Sequence, residues 1–183
     1  MTHDVPSDAV IAGNPGRIVG YVGTGEALRA VIVAAPSTAA SQPTGVRGVT
    51  LHRLPMAEDL RGLLSFGEVG VHVPFSVQRY FVVFGVATQQ IRGEQAHRTQ
   101  EQFLVCVHGS CHVVADDGEH REEFVLDHPT VAVHVPPLVW SVHYKYSPDA
   151  VLLVLASAAY DAGDYIRSYD EFLAERRTAA ARE

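Results

Sequence analysis

Residues 92 to 98 place two arginines, a glutamate, a glutamine and a histidine directly before a segment of alternating apolar residues. The ordinary pKa of the histidine, His97, is about 6.5, so its imidazole can take and return a proton near neutral pH. Gln95, two residues earlier, cannot carry a proton, but its amide can donate a hydrogen bond to an oxygen that becomes negative. The pattern predicts a site of general acid–base chemistry in which His97 is the base.

The segments that must hold this cluster in place have the residue pattern of β-strands. From residue 49 to residue 156, short runs rich in aromatic and β-branched residues are separated by turns that contain glycine, proline or aspartate. Many short strands at regular spacing indicate a β-sandwich or a small β-barrel. Strands are predicted over residues 49–54, 63–68, 78–84, 103–107, 111–115, 122–126, 130–135, 140–146 and 150–156. One or two helices are predicted over residues 160 to about 176, before a frayed tail.

The two cysteines, Cys106 and Cys111, lie on either side of a predicted tight turn at residues 109–110. If the two flanking strands form a hairpin across that turn, neighbouring positions alternate between the faces of the sheet. The two sulfur atoms are then expected to point to opposite sides. We therefore predict two buried free thiols and no disulfide.

Two further segments precede the predicted strands. Residues 5–22 have the pattern of two short β segments around a Gly-Asn-Pro-Gly turn at positions 13–16. Residues 23–46 are rich in alanine, serine, threonine, proline and glycine, a composition that has little to bury and is typical of a linker. A short helix over residues 26–33 fits within this linker.

The composition of the 183-residue chain excludes several classes of protein. Hydrophobic residues make up 47% and charged residues 19%, as in an ordinary globular protein, and the formal net charge of −7 argues against a nucleic-acid binder. No apolar run approaches the roughly 20 residues that cross a membrane. The first residues are polar and acidic, unlike a signal peptide, so we expect a cytoplasmic protein without a membrane partner.

The segment from 92 to 110 resembles the active-site strand of the nucleotide-sugar 3,4-ketoisomerases, which are small cupin enzymes. That family usually has Arg-Gly-x-His-Ala-His here, and Gln95 stands in place of its first histidine. The resemblance covers roughly residues 47 to 173. It extends to residues 61–66, 73–80, 139–140, 151–157, 160–161 and 164–167.

This resemblance implies an all-β cupin domain with a short C-terminal helical segment over residues 47–176, followed by a tail at 177–183. It implies a homodimer that converts a thymidine-diphosphate (dTDP)-linked 4-keto-6-deoxyhexose to the 3-keto sugar, for the synthesis of a deoxyamino sugar. His97 would remove the proton on C3, and Gln95 would hydrogen-bond an oxygen of the enediolate. No redox cofactor is needed, because the oxidation state only changes position.

Many cupins bind a metal, and the residues here predict that this chain does not. His97 and Glu101 have the spacing of two metal ligands, but Gln95 replaces one histidine and the last ligand position falls near Ser141. Two ligands of four do not hold a transition metal firmly, and a neutral amide is a poor substitute for imidazole. His143 contributes only if the strand register differs.

Polar residues near the motif are candidates for binding the substrate. The guanidinium groups of Arg79 and Arg92 match the oxygens of a diphosphate or orient the sugar, or they form ordinary surface salt bridges. Gln102, at the start of a predicted strand, is a candidate for bonding a sugar hydroxyl.

Aromatic residues are the remaining candidates for the site. Tyr80 and Tyr144 are candidates for reaching the barrel interior with their hydroxyls and assisting proton movement, and a role as plain core aromatics is the alternative. Trp140 fits a stacking role on the sugar or base and a core role equally.

The first 22 residues resemble the end of a hexapeptide-repeat acetyltransferase, whose left-handed β-helix commonly finishes with a Gly-Asn-Pro turn. A solenoid needs several stacked repeats, so this piece alone would be the remnant of such a domain. Two rival functions stay open for the cupin domain. One is 3,5-epimerisation of the same class of sugar, and the other is non-catalytic binding of a sugar nucleotide.

Overall fold

The structure, a computed structural model, describes residues 9–12, 17–21, 39–59, 62–87 and 90–181. The chain divides into a smaller unit (Met1–Pro36 and Ala57–Leu64) and a larger one (Ser37–Met56 and Ser65–Glu183). No helix within the described residues has the length and apolar character that crossing a lipid bilayer requires.

Short β-strands make up half of the described chain. Numbered along the sequence, they are β1 (Ala9–Ala12), β2 (Arg17–Tyr21), β3 (Ala40–Pro43), β4 (Thr50–Arg53), β5 (Met56–Asp59), β6 (Gly62–Ser65), β7 (Arg79–Phe84), β8 (Arg92–His97), β9 (Gln102–His108), β10 (Cys111–Asp116), β11 (Arg121–Leu126), β12 (Val131–Val135), β13 (Trp140–Tyr144), β14 (Val151–Ala156) and β15 (Tyr165–Ile166). A 3₁₀ helix (Ala162–Asp164) precedes β15, and one α-helix, α1 (Tyr169–Ala180), follows it.

Two antiparallel sheets form the larger unit. One has the strand order β11-β10-β13-β8-β15 and the other β3-β4-β12-β9-β14-β7. Their inner faces share one cluster of buried apolar side chains, which includes Val113 and Leu126 from the first sheet and Leu104, Val133 and Leu152 from the second. Burying a side chain of this size contributes roughly 1.5–3 kcal/mol. The resulting two-sheet barrel with a C-terminal helix is the predicted all-β cupin architecture.

The link between β9 and β10 corrects one prediction. These strands do not pair as a hairpin, because β9 lies between β12 and β14 while β10 lies between β11 and β13. The chain crosses from one sheet to the other at Gly109, which has a positive φ of 64°. Cys106 and Cys111 are both free and buried, as predicted, but both belong to the cluster between the sheets. The prediction that their sulfur atoms face opposite sides is therefore wrong.

The predicted linker contains a strand. Within residues 23–46, β3 pairs with β4 and extends the six-stranded sheet, although all four of its side chains are exposed. Backbone hydrogen bonds rather than buried side chains hold this strand, which explains why its composition gave no sign of it. β1 and β2 form the antiparallel pair expected near the N-terminus. The turn at 13–16 and the candidate helix at 26–33 lie outside the described residues, and the acetyltransferase remnant stays a prediction.

The C-terminal segment begins its helix later than predicted. Residues 162–166 form the 3₁₀ helix and β15, which pairs with β8 and opposes Tyr165 to His97. The α-helix starts after Ser168, whose hydroxyl accepts a hydrogen bond from the backbone N–H of Glu171, and it runs to Ala180. Helix α1 buries Phe172 on the outer face of the five-stranded sheet. Residues 177–180, which were predicted to be frayed, form the last turn of this helix.

Candidate functional site

A bulge in β8 sets the direction in which the side chains of Gln95 and His97 point. The pairing of β8 with β13 shifts between Gln95 opposite Ser141 and Gly93 opposite Val142, and Glu94 between them has a positive φ of 52°. A side chain at Gly93 would place its Cβ 2.8 Å from the Ser141 carbonyl oxygen. Glycine is therefore required for the close approach that lets Gln95 face the interior of the barrel.

His97 ends β8 and lies inside the barrel, with only 5% of its surface exposed. Its Nδ1 is 2.9 Å from Oδ2 of Asp164. The Asp164 carboxylate also accepts hydrogen bonds from the backbone N–H of Thr99 (2.8 Å) and from the Thr99 hydroxyl (2.7 Å). Because a carboxylate only accepts hydrogen bonds, Nδ1 carries the proton of the neutral ring and Nε2 carries the lone pair.

Three glutamine amides surround the lone pair of His97. The Nε2 atom of Gln102 is 3.1 Å from Nε2 of the ring, and the corresponding atoms of Gln95 and Gln100 are each 3.4 Å away. Gln100 and Gln102 are both 2% exposed. The basic nitrogen of His97 therefore faces amide N–H donors in a site with little water.

Burial dominates the electrostatics of this site. It lowers the pKa of His97 below the ordinary value, the hydrogen bond and charge of Asp164 raise it in part, and the charges of Arg79 and Arg167 lower it further. Burial alone would raise the pKa of Asp164, but the hydrogen bonds from Thr99 and His97 bring it below its usual range. Near neutral pH the pair is thus a carboxylate beside a neutral imidazole, which is the form that can accept a proton.

Residues paired in register across the six-stranded sheet bring Arg79 towards the site. Arg79 on β7 is opposite Ala156 on β14, which is opposite Gln102 on β9. Its Nη2 donates to the hydroxyl of Tyr165 over 3.3 Å, and its buried Nε has no hydrogen-bond partner among the described residues. The guanidinium of Arg79 therefore keeps donor capacity for an anionic ligand.

Tyr165 connects His97 with a second arginine. The rings of His97 and Tyr165 meet edge to face with centroids 4.3 Å apart, and the guanidinium carbon of Arg167 lies 4.5 Å from the Tyr165 centroid. A cleft of about 570 Å³ opens beside this group and is lined by Gly93, Glu94, Gln95, Trp140, Arg167 and Tyr169. The cleft reaches Gln95 but not the buried His97, and its size is in the range of small-molecule sites.

Of the predicted site residues, the structure brings His97, Gln95 and Gln102 together and places Arg79 near them. Gln102, a candidate for bonding a sugar hydroxyl, directs its amide at His97. Arg92 does not join them, because it is exposed at the opposite end of β8 and pairs with His143 in register.

The predicted aromatic residues lie elsewhere. The hydroxyl of Tyr144 donates to Glu123 over 2.5 Å on the outer face of the five-stranded sheet, and Tyr80 is 69% exposed on the outer face of β7. The prediction that their hydroxyls reach the barrel interior is therefore wrong. Trp140 packs against Tyr169 under helix α1, with centroids 5.3 Å apart, and also lines the cleft. Alternation along β13 explains this, since Ser141 and His143 take the inward positions.

Glu101, which has metal-ligand spacing from His97 in the sequence, faces away from it. Its Oε2 is 2.8 Å from Nε2 of His134, outside the barrel interior. The inward neighbour is Gln102. No group of three or more His, Cys, Asp or Glu side chains that could hold a metal ion occurs in the described part of the chain.

Four residues of the site were missed from the sequence: Gln100, Asp164, Tyr165 and Arg167. Gln100 lies within the motif segment, and the other three lie in the stretch 164–167, which contributed to the family resemblance without any assigned role. Arg98 holds that stretch in place by donating to the backbone carbonyls of Gly163 (2.7 Å) and Tyr165 (3.0 Å).

Comparisons with known proteins show the family of this chain. The family described as FdtA: WxcM-like, C-terminal, matches residues 47–177. A TDP-4-oxo-6-deoxy-α-D-glucose 3,4-oxoisomerase from Aneurinibacillus thermoaerophilus is 45% identical over 114 residues, which are 62% of this chain and 82% of that protein.

Solved structures give the same result. A histidine-to-asparagine variant of a 3,4-ketoisomerase from Thermoanaerobacterium thermosaccharolyticum, in complex with TDP-4-keto-6-deoxyglucose, superimposes with a TM-score of 0.70 at 31% identity, over 73% of this chain and 96% of that one. A TDP-quinovose 3,4-ketoisomerase from Campylobacter jejuni superimposes with a TM-score of 0.68 at 36% identity, over 70% and 99% of the two chains.

Proposed function

The chain belongs to the family described as FdtA: WxcM-like, C-terminal, and we propose that it is a 3,4-ketoisomerase acting on a dTDP-linked 4-keto-6-deoxyhexose. Its relatives isomerise or bind thymidine-diphosphate keto sugars, as their names state. The product is the corresponding 3-keto sugar. A reaction that adds an amino group at C3 would then consume this product.

The observation that carries the proposal is the buried pair of His97 and Asp164, with Nδ1 and Oδ2 2.9 Å apart. Asp164 holds the proton on Nδ1, so Nε2 can remove the proton on C3 of the sugar, which is acidic because it is next to the C4 ketone. The electrons of the C3–H bond form a C3–C4 double bond, and negative charge moves to the C4 oxygen. A proton then passes from the C3 oxygen to the C4 oxygen, and another is delivered to C4.

Gln95 stabilises the enediolate in this proposal. Its amide lies beside Nε2 of His97 and lines the cleft, so its N–H can donate to an oxygen that gains charge in the transition state. An amide cannot return a proton, and His97 therefore both removes and returns it. This single acid–base residue is consistent with a slower enzyme than one with two histidines, since each acid–base group contributes about 10²–10⁴-fold.

Two cations of the site suit the charged part of the substrate. Arg167 lines the cleft, and Arg79 keeps a buried N–H without a partner among the described residues. A diphosphate carries negative oxygens that match the planar donor pattern of guanidinium. We assign the diphosphate to these two side chains, and leave Arg92 without a role at the catalytic end of the barrel.

A homodimer is part of the proposal. Strand β7 pairs with β14 on one side only within the described sheet, and its outward residues Tyr80, Val82 and Phe84 are 69%, 40% and 70% exposed. A second copy related by a two-fold axis would cover this apolar strip and pair the free edge. The cytoplasmic location expected from the sequence stays a prediction.

The test is incubation of the protein with dTDP-4-keto-6-deoxyglucose, followed by proton NMR of the sugar. The proposal predicts loss of the 4-keto signals and appearance of the 3-keto product. The same incubation in heavy water separates the rivals, because an epimerase exchanges the proton at C5 as well as that at C3, whereas the isomerase leaves C5 untouched. Binding of the substrate with neither isomerisation nor exchange would identify a non-catalytic binding protein.

A further inference from the structure

The nitrogen of His97 that must accept a proton is already hydrogen-bonded in the resting site. Nε2 of Gln102 lies 3.1 Å from Nε2 of His97, within the usual range of such bonds, whereas Gln95 and Gln100 lie 3.4 Å away. Gln102 starts β9 and is opposite Val135 on one side and Ala156 on the other. Its backbone is therefore fixed between two strands, and only its side chain can adjust.

Proton transfer reverses what this nitrogen needs. A neutral His97 presents a lone pair, which the Gln102 amide N–H fills, but a protonated His97 presents an N–H that requires an acceptor. With the amide unchanged, two donors would face each other in a buried site, which is costly. Rotation of the carboxamide by about 180° replaces its NH2 group by its carbonyl oxygen without moving the backbone.

No charged or titratable group around the ring can supply that acceptor. Asp164, from the 3₁₀ helix, is bound to Nδ1 on the other side of the ring. Arg79 from β7 and Arg167 after β15 are the cations whose charges act on His97, and guanidinium groups only donate. Tyr165 from β15 meets the ring edge to face.

We propose that the Gln102 carboxamide rotates by about 180° during catalysis. It donates its N–H to neutral His97 and accepts a hydrogen bond from the imidazolium through its oxygen. Gln102 is thus a positioning residue that stabilises both protonation states of the base. This inference rests on the proposed function, because it assumes that His97 is the group that accepts the proton.

The first test measures the pKa of His97 in the unaltered protein and in the Gln102→Met variant. The titration is monitored by NMR of ¹⁵N-labelled histidine, without substrate. A hydrogen bond to the charged imidazolium is stronger than one to the neutral ring, so its loss lowers the pKa of His97, by about half a unit or more. An amide that only donated would favour the neutral ring, and its removal would raise that pKa. The acid limb of the kcat/KM profile moves in the same direction as the pKa.

The neighbouring Glu101→Gln variant is the matched control, because Glu101 is bonded to His134 on the other face of β9. We expect the pKa of His97 in this variant to equal that in the unaltered protein. A second measurement uses the unaltered protein, and so does not depend on the folding of a variant. Nuclear Overhauser contacts between the Gln102 NH2 protons and the His97 ring are expected above the pKa of His97 and lost below it.

The outcomes separate this inference from the proposed function. The rotation of the amide is refuted if the pKa of His97 rises or stays unchanged in Gln102→Met. It is also refuted if the NH2 contacts persist below the pKa of His97. Either result holds even if the enzyme isomerises its sugar. Absence of isomerisation by the unaltered protein refutes the proposed function, and the catalytic part of this inference with it.

Discussion

Acid should destabilise this protein through a histidine that lies inside the barrel. His143 occupies an inward position on β13 and is 5% exposed, and its Nε2 lies 3.5 Å from the Ser141 hydroxyl. Burial lowers the pKa of His143 to about 4. In the unfolded chain the pKa returns to about 6.5.

The difference between these two pKa values sets the magnitude. As pH falls from 6.5 to 4, the unfolded chain binds a proton at His143 that the folded protein does not bind, so the free energy of unfolding decreases. Each unit of difference corresponds to about 1.4 kcal/mol, which gives about 3.5 kcal/mol for the whole window. Below pH 4 both states are protonated there, and this loss stops. A loss of about 3.5 kcal/mol is a large part of the roughly 5–15 kcal/mol that stabilises a typical domain.

The assay is urea unfolding of the unaltered protein and the His143→Gln variant at pH 7.5 and pH 4.5. Glutamine keeps an amide near Ser141 and cannot titrate. We expect the variant to lose about 2.5 kcal/mol less than the unaltered protein between the two pH values. The burial-lowered pKa values of His52, His97 and His134 act in the same direction, but they are common to both proteins and cancel in the comparison.

Val113→Ala is the control for damage to the core, because Val113 is directly opposite His143 and does not titrate. It lowers the free energy of unfolding by the same amount at both pH values. If His143→Gln loses as much stability on acidification as the unaltered protein, the buried neutral ring is not the source of the acid sensitivity and the reasoning is wrong.

Three further predictions address the site and its support. Asp164→Asn lowers kcat by roughly 10²–10⁴-fold, because the amide no longer fixes the Nδ1 proton of His97; steady-state kinetics with unchanged substrate affinity check this, and an unaltered kcat contradicts it. Gln95→His raises kcat at least about tenfold by restoring a second group that carries protons, and an unchanged slow rate refutes that role of Gln95. Phe172→Ala, which empties a fully buried position against Trp140, costs about 3–5 kcal/mol in urea unfolding.

Local patterns were sufficient to predict much of the barrel. Strands such as β7 and β14 alternate or concentrate β-branched and aromatic residues, and their bounds differ from the predicted ones by one residue. The neighbourhood of His97 and Gln95 was also predictable, since both lie on one strand two residues apart and share a face.

Long-range relations were not predictable. The carboxylate that orients His97 lies 67 residues away, and only the pairing of β15 with β8 brings it there. The sequence pattern of β13 predicts the wrong inner face. Its polar residues Ser141 and His143 face the interior, while Trp140 packs outside the barrel under α1. Alternation defines two faces, but which face is inner depends on a helix that follows later in the chain.

Exchange at C3 of the sugar tests the central claim most directly. Incubation of dTDP-4-keto-6-deoxyglucose in heavy water with the unaltered protein or the His97→Asn variant, followed by NMR, measures removal of that proton alone. We predict deuterium at C3 of the remaining 4-keto sugar and at C4 of the 3-keto product with the unaltered protein, and exchange roughly 10³-fold slower or more with the variant, while the nucleotide still binds. Exchange at the unaltered rate in the variant would contradict the assignment of His97 as the base.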